Sequence, residues 1–356
     1  MARMDEVSDA LRTVAPALAF LCAGVPLAAL LDRLGFFDAV VAGFARRQSR
    51  LAVGHLWVLA ALTTVVLNLD TTIVLLTPLA VRLARRGGAD VVGVAVVPLL
   101  LASLASSALP VSNLTTLIVV EGRGLGVVDV VTNLGLPTVA AVGVGWLAYR
   151  RGHARTLELP PPGPPSASGR RALAVGWVVV AGLLVGFVLG PDLGVAPWVV
   201  AVVADLVLVV VTRWVPWREV PLLTAIGVAA LAVVVALVGP DEMVSRLSEG
   251  AGLAAVVGAS TGTAVACVVN NLPAALLLAG GSGSFDWASW GWLLGINVGA
   301  VLTPVGALAN ILWWRVLRAE GQAMTLRRYL SEVVPVAVPA LVAAVAVLAV
   351  IAALHG

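Results

Sequence analysis

Asn68-Leu69-Asp70-Thr71-Thr72 interrupts an apolar run covering about residues 51–84, and Asn270-Asn271-Leu272-Pro273 interrupts a second covering about 253–280. Each is followed by another broken run. Pro110-Val111-Ser112-Asn113-Leu114-Thr115-Thr116 divides residues 91–120, and Thr303-Pro304-Val305-Gly306-Ala307-Leu308-Ala309-Asn310 divides 290–317. Polar side chains and helix breakers are costly in a bilayer. They persist only where backbone is buried in protein or lines a polar cavity. Interrupted apolar segments at matching places in two halves of a chain point to the binding site of a secondary transporter.

The surrounding composition is that of a membrane protein. Of 356 residues, 60% are apolar and 12% charged, against about 25% charged in soluble domains, and the mean hydropathy is +1.05. The net charge of +3 is no nucleic-acid signature, because the arginines sit in short loops between apolar runs. The absence of lysine excludes a P-loop, whose lysine reaches the phosphates. Cys22 and Cys267 lie far apart in apolar stretches and imply no disulfide framework. A mixed-charge stretch and no small-residue cleavage site flank the first run, so it reads as a retained helix rather than a signal peptide.

A span needs about 20 apolar residues, and candidates run near 13–31, 91–120, 130–149, 171–190, 197–212, 220–238, 290–317 and 331–353. Arginine placement then orients them. The linker at 151–170, with its proline run and flanking arginines, is the most basic loop and is placed in the cytoplasm. Working outward from it, every loop obeys the positive-inside rule if 51–84 and 253–280 are re-entrant hairpins inserted from opposite faces. The expected fold is thus an all-α polytopic membrane protein built from inverted-topology repeats. Residues 1–150 form the first repeat and 171–356 the second, giving eight spans, two hairpins and both termini outside. Trp198, Trp214, Trp217, Trp287, Trp290 and Trp292 near span ends read as an aromatic belt.

Four interruptions meeting at mid-depth would form a polar cage of helix ends and small polar side chains. Asn68, Asp70, Thr71, Thr72, Ser112, Asn113, Thr115 and Thr116 line it from one half, and Asn270, Asn271, Thr303, Gly306 and Asn310 from the other. Taken singly, each Asn or Thr could equally glue helices together; the set reads as a binding site. Asp70 is the one carboxylate at either tip. It reads as a proton- or cation-coupling group, or else as a structural acid bonded to Thr72 or to the following helix end. Asp205, mid-span in 199–211, is a second coupling candidate or a structural partner, and Cys267 is small apolar filler or a thiophilic ligand. No cofactor or metal is expected. Paired catalytic acids, a His-Glu-x-x-His helix and a Gly-x-Ser-x-Gly turn are all missing, which argues against an intramembrane enzyme.

These motifs, with Leu31-Asp32-Arg33-Leu34-Gly35-Phe36-Phe37 and the tract from Asn310 through Trp314 to Tyr329, resemble the arsenite efflux permeases of the ion transporter superfamily. That superfamily also holds divalent-anion/sodium symporters and citrate–metal carriers. The permeases usually read Asn-Asp at the first tip where this chain has Leu69-Asp70, and they carry two more peripheral helices before the first run. The resemblance implies proton-driven extrusion of arsenite or antimonite, or of a related small anion, across a bacterial plasma membrane. A soluble ATPase and a homodimer are the protein partners it leaves open. The alternative on the same scaffold is a sodium- or proton-coupled di- or tricarboxylate transporter. Uncharged arsenous acid suits Asn, Ser and Thr without arginine, yet helix dipoles alone can also hold carboxylates.

Overall fold

Both hairpins form, and each bends at an asparagine. The computed structural model describes residues 2–47, 52–153, 167–190, 193–238, 251–281 and 284–355, and among these the secondary structure is entirely helical. The first hairpin is α3 (Ala52–Val66) and α4 (Leu69–Arg86), and the second is α11 (Ala251–Val269) and α12 (Asn271–Ala279). The first bend falls at Leu67-Asn68, which puts Asp70 inside the first turn of α4 rather than in the bend. The broken spans are α5 (Val91–Leu104) with α6 (Leu114–Arg123), and α13 (Trp287–Val298) with α14 (Leu308–Ala319). A 3-10 turn lies in each break, Pro110–Ser112 just before α6 and Gly299–Leu302 just after α13.

The remaining helices wrap this centre. They are α1 (Ala2–Arg33), α2 (Phe36–Arg47), α7 (Val127–Gly152), α8 (Ala167–Leu189), α9 (Pro197–Thr212), α10 (Leu222–Val238) and α15 (Leu326–His355). Helices α7 and α15 pack along each other, α1 lies against α9 and α10, and α8 rests on α2 and α9. By length and apolarity, six helices among the described residues can each cross a membrane: α1, α7, α8, α10 with the turn before it, α15, and also α11, the expected arm of a re-entrant hairpin.

Three sequence expectations change. Helix α2 occupies what reads as a basic loop, and it is anchored because Phe36 and Phe37 are buried. Phe36 stacks edge-on against Trp177 of α8 at 5.4 Å and fills the space above Gly176. Helix α8 begins at Ala167, so Arg170 and Arg171 are helical, and the proline run of the expected linker lies outside the described residues. Trp290 and Trp292 are buried, not interfacial; Trp292 Nε1 donates to the Ala274 carbonyl of α12 at 3.1 Å. Trp198 and Trp217 are exposed, as a belt requires.

The closest helix contact in the second half is between α11 and α13. Each carries glycines four apart, Gly258 with Gly262 and Gly291 with Gly295, and small-xxx-small spacing lets membrane helices approach backbone to backbone. A Cβ at Gly291 would sit 2.1 Å from the Ala255 carbonyl oxygen, and one at Gly258 2.0 Å from that of Ala288. The hairpin's first arm is therefore locked to its neighbouring span. Gly291→Val is expected to destabilise the purified protein by about 2 kcal/mol or more. Gly227→Val, where a Cβ meets nothing within 4 Å, leaves the thermal midpoint in detergent unchanged.

Candidate functional site

The tip asparagines hold their bends in the same way. Asn68 and Asn270 both take positive φ, 145° and 88°, with ψ of 176° and 151°, a strained region that side chains other than glycine rarely enter. Asn68 Oδ1 accepts from the Thr71 amide at 2.9 Å, and Asn270 Oδ1 accepts from the Leu272 amide at 3.1 Å. Each thereby caps the returning helix.

Each tip is tied to the broken span of its own half. In the first, Ser112 Oγ donates to the Val65 carbonyl at 3.0 Å, and the Thr64 and Thr72 hydroxyls are bonded at 2.8 Å. In the second, Asn270 Nδ2 donates to the Val305 carbonyl and the Asn271 amide to the Gly306 carbonyl, both at 2.8 Å. Thr303 Oγ1 donates to the Cys267 carbonyl at 3.0 Å. A Cβ on Gly306 would meet the Ala300 carbonyl oxygen at 2.1 Å, so this turn admits only glycine. Asn310 Nδ2 donates to the Ala300 and Thr303 carbonyls, both at 2.9 Å. Cys267 contributes packing and a weak 3.6 Å contact to the Gly299 carbonyl.

The two halves are joined by a residue the motif reading passed over. Asn297, buried in α13, accepts from Asn113 Nδ2 at 2.9 Å and from Thr115 Oγ1 at 2.7 Å. It donates to Thr116 Oγ1 at 2.8 Å and to Ser107 Oγ at 3.2 Å. Both donors and both acceptor positions of its amide are filled. Asn113 also caps α6 through the Thr115 amide at 3.1 Å. Asn113, Thr115 and Thr116 are thus occupied in holding the broken spans together. The sequence signal was a lone Asn between Gly295 and Gly299, just ahead of the break at Thr303-Pro304.

What stays unpartnered is informative. Asp70 makes no hydrogen bond or ion pair among the described residues, so the expected bond to Thr72 is not formed: Thr72 bonds Thr64 and the Asn68 carbonyl instead. Thr71 Oγ1 and Asn310 Oδ1 are buried without partners. Asp70 and Thr71 face a cavity of about 390 Å³ between α1, α4, α10 and α14. Asn270, Asn271, Thr303 and Asn310 do not line it, so the expected single cage is instead two tied tips bridged by the Asn297 node, with the cavity on the first-tip side. Asp205 lies away from both tips on α9, with Oδ1 buried and unpartnered.

Helix pairs tied at their bends, broken helices joined at a polar node and a cavity lined by an acid are the features of a transporter scaffold. The chain belongs to the CitMHS citrate transporter family, whose family model matches residues 7–294, in keeping with the resemblance carried by the motifs. It is 25% identical to the arsenical pump membrane protein of Yersinia enterocolitica, over 94% of this chain and 86% of that protein. The protein of the same name from Escherichia coli K12 is 24% identical over the same shares. The solved YdaH transporter of Alcanivorax borkumensis aligns over 97% of this chain and 86% of that one, with a TM-score of 0.61 and 14% identity, a likeness of fold. The protein is an integral membrane transporter.

Asn297→Ala orphans several buried partners, each worth about 1–3 kcal/mol. It is expected to lower thermal stability in detergent steeply. Asp70→Asn removes a side chain with no partner and leaves the midpoint within about 1 kcal/mol of the parent. Equal losses in the two variants would contradict this division between a structural node and a free acid.

Proposed function

We propose that this chain is a proton-coupled secondary transporter that exports arsenite, antimonite or a related small anion across the bacterial inner membrane. The observation that carries the reading is the free Asp70 carboxylate. It stands at the first tip beside the unpartnered Thr71 hydroxyl, where its neighbours are committed to holding the tip together. An unpaired acid at membrane depth is a functional group by default. Its proton would travel against the substrate, and Asp205 serves as a second, more peripheral relay. The arsenical pump relatives support the substrate class, and the lack of a cation among the tip residues suits an uncharged trihydroxyl acid.

In this reading residues 1–150 and 171–356 are inverted repeats, with eight spans, both termini outside and hairpins inserted from opposite faces. The matched Asn68 and Asn270 caps support the pairing of the two tips. The polar residues of the tips and breaks, Asn68 to Thr72, Ser112 to Thr116, Asn270, Asn271, Thr303, Gly306 and Asn310, form the frame against which the substrate binds. A soluble ATPase and a second copy of the chain are partners implied by resemblance alone.

The second reading is a proton- or sodium-coupled di- or tricarboxylate carrier. It is favoured by the family description and by Arg315 on the wall of the same cavity.

Expression in a host stripped of arsenite efflux decides between them. Resistance to arsenite and antimonite, without citrate or succinate uptake into vesicles, is the expected outcome. Asp70→Asn is expected to abolish the dependence of efflux on the pH gradient. Carboxylate uptake without metalloid resistance would transfer the assignment to the second reading, and an unchanged pH dependence in Asp70→Asn would remove the coupling role.

A further inference from the structure

The cavity below Asp70 has a direction. Helix α1 contributes Leu21, Val25, Ala28 and Ala29, one helical face; α4 contributes Asp70, Thr71, Val74 and Leu75; α14 contributes Leu308, Ile311, Leu312 and Arg315. Both α4 and α14 start at mid-chain breaks and run the same way, so the cavity follows their axes. From Leu308 to Arg315 it extends about 10 Å at 1.5 Å per residue. Its deep end carries Asp70 and the buried, unpartnered Thr71 hydroxyl. Its other end carries Glu219, from the turn ahead of α10, and Arg315; both are exposed and no ion pair joins them among the described residues.

That outer end is the basic end of the molecule. Arg33 lies over Trp214 at 5.8 Å, Arg82 is 3.8 Å from Asp38, and Arg85 pairs with Glu320 just beyond α14. Basic residues gather on the cytoplasmic side of membrane proteins. The end of the cavity that carries Glu219 and Arg315 therefore faces the cytoplasm.

We propose that this cavity is a cytoplasmic vestibule through which aqueous solutes reach Asp70, and that Arg315 and Glu219 set the charge at its mouth. Its walls are mainly apolar, which leaves five polar side chains, Asp70, Thr71, Glu219, Thr224 and Arg315, as the groups that can select what enters. An arginine at a narrow, low-dielectric opening draws anions and repels cations, and Glu219 beside it moderates that field. The function this serves is the transport proposed above, but accessibility can be measured without knowing the substrate.

The test uses the full chain with Cys22→Ala and Cys267→Ala, and single reporters Ala29→Cys near the mouth and Leu312→Cys on the wall. A membrane-impermeant maleimide is expected to label both reporters in inside-out vesicles and neither in right-side-out ones. Labelling from the outer face alone, or from neither face as in a crevice filled by lipid chains, would overturn the vestibule. The charge at the mouth is read at Ala29→Cys by the ratio of reaction rates with an anionic and a cationic methanethiosulfonate. Arg315→Glu is expected to lower that ratio about tenfold, and Glu219→Gln to raise it. A ratio indifferent to both substitutions would remove these residues from the mouth. A labelled vestibule in a chain that moves neither metalloid nor carboxylate would sink the substrate assignment and leave the access route standing.

Discussion

A helix that stops inside a bilayer leaves N–H and C=O groups with no water to receive them, and the rest of this molecule is arranged around that deficit. Three of the four breaks are closed alike: the side-chain oxygens of Asn68, Asn113 and Asn270 each accept from an amide in the first turn of the helix that follows. The fourth reverses the polarity. Ala307 precedes α14 and offers no side-chain cap, so Asn310 turns its amide group back on the carbonyls of Ala300 and Thr303. Tyr329 adds a second donor there, to the Val301 carbonyl at 2.7 Å. Asparagine suits both tasks because it carries a donor and an acceptor on one short arm. At the two tips it also holds a strained backbone with positive φ, against the cost of that conformation.

Once the backbone is closed, the remaining polar atoms fall into two populations. One is saturated: Asn297 and its four partners form a knot between α13 and the first half's broken span, where each bond replaces one that water cannot make. The other is open: among the described residues Thr71 Oγ1, Thr77 Oγ1, Asp205 Oδ1, Asn310 Oδ1 and Trp57 Nε1 are buried without partners, and of these only Thr71 faces the cavity, beside the Asp70 carboxylate. Open polar atoms in a membrane interior are costly, and those on the cavity are within reach of a visiting solute. Residue type alone does not separate the populations, since Thr71 and Thr72 are neighbours in sequence with opposite fates. Helical geometry does, because adjacent residues point about 100° apart and only Thr72 faces α3.

The hairpins and broken spans were legible because a polar cluster inside an apolar run has few physical explanations, and arginine bias then orders the runs. The bend at Asn68 sat two residues earlier than the acid that marks it, since Asp70 is stable in a first helical turn, where the helix dipole favours negative charge. Asn297 was not legible: it is a single asparagine ahead of the polar break cluster, and its importance comes from partners far away in sequence. Helix α2 was hidden because its apolar face is short and its flanks are basic, and only packing on α8 gives that face a purpose. Trp290 and Trp292 show the limit of composition rules. Tryptophan near a span end is interfacial unless the span is central, and α13 is buried on all sides. The cavity could not be read either, because its walls come from four distant helices.

The two tips are alike in backbone and unlike in chemistry, and this difference bears on coupling. A carrier that links two solutes needs a group whose charge differs between its loaded and empty states. Asn270 and Asn271 are neutral under all conditions, and their tip is bonded at three points to the adjoining break. The first tip carries an ionisable side chain that has no protein partner and faces open space. No ion pair reaches Asp70 among the described residues, so beyond the amino end of α4 its charge is met only by whatever enters the cavity. Under the proposed coupling the first tip would carry the proton, and the second tip, with no charge to change, would bind solute without taking part in it.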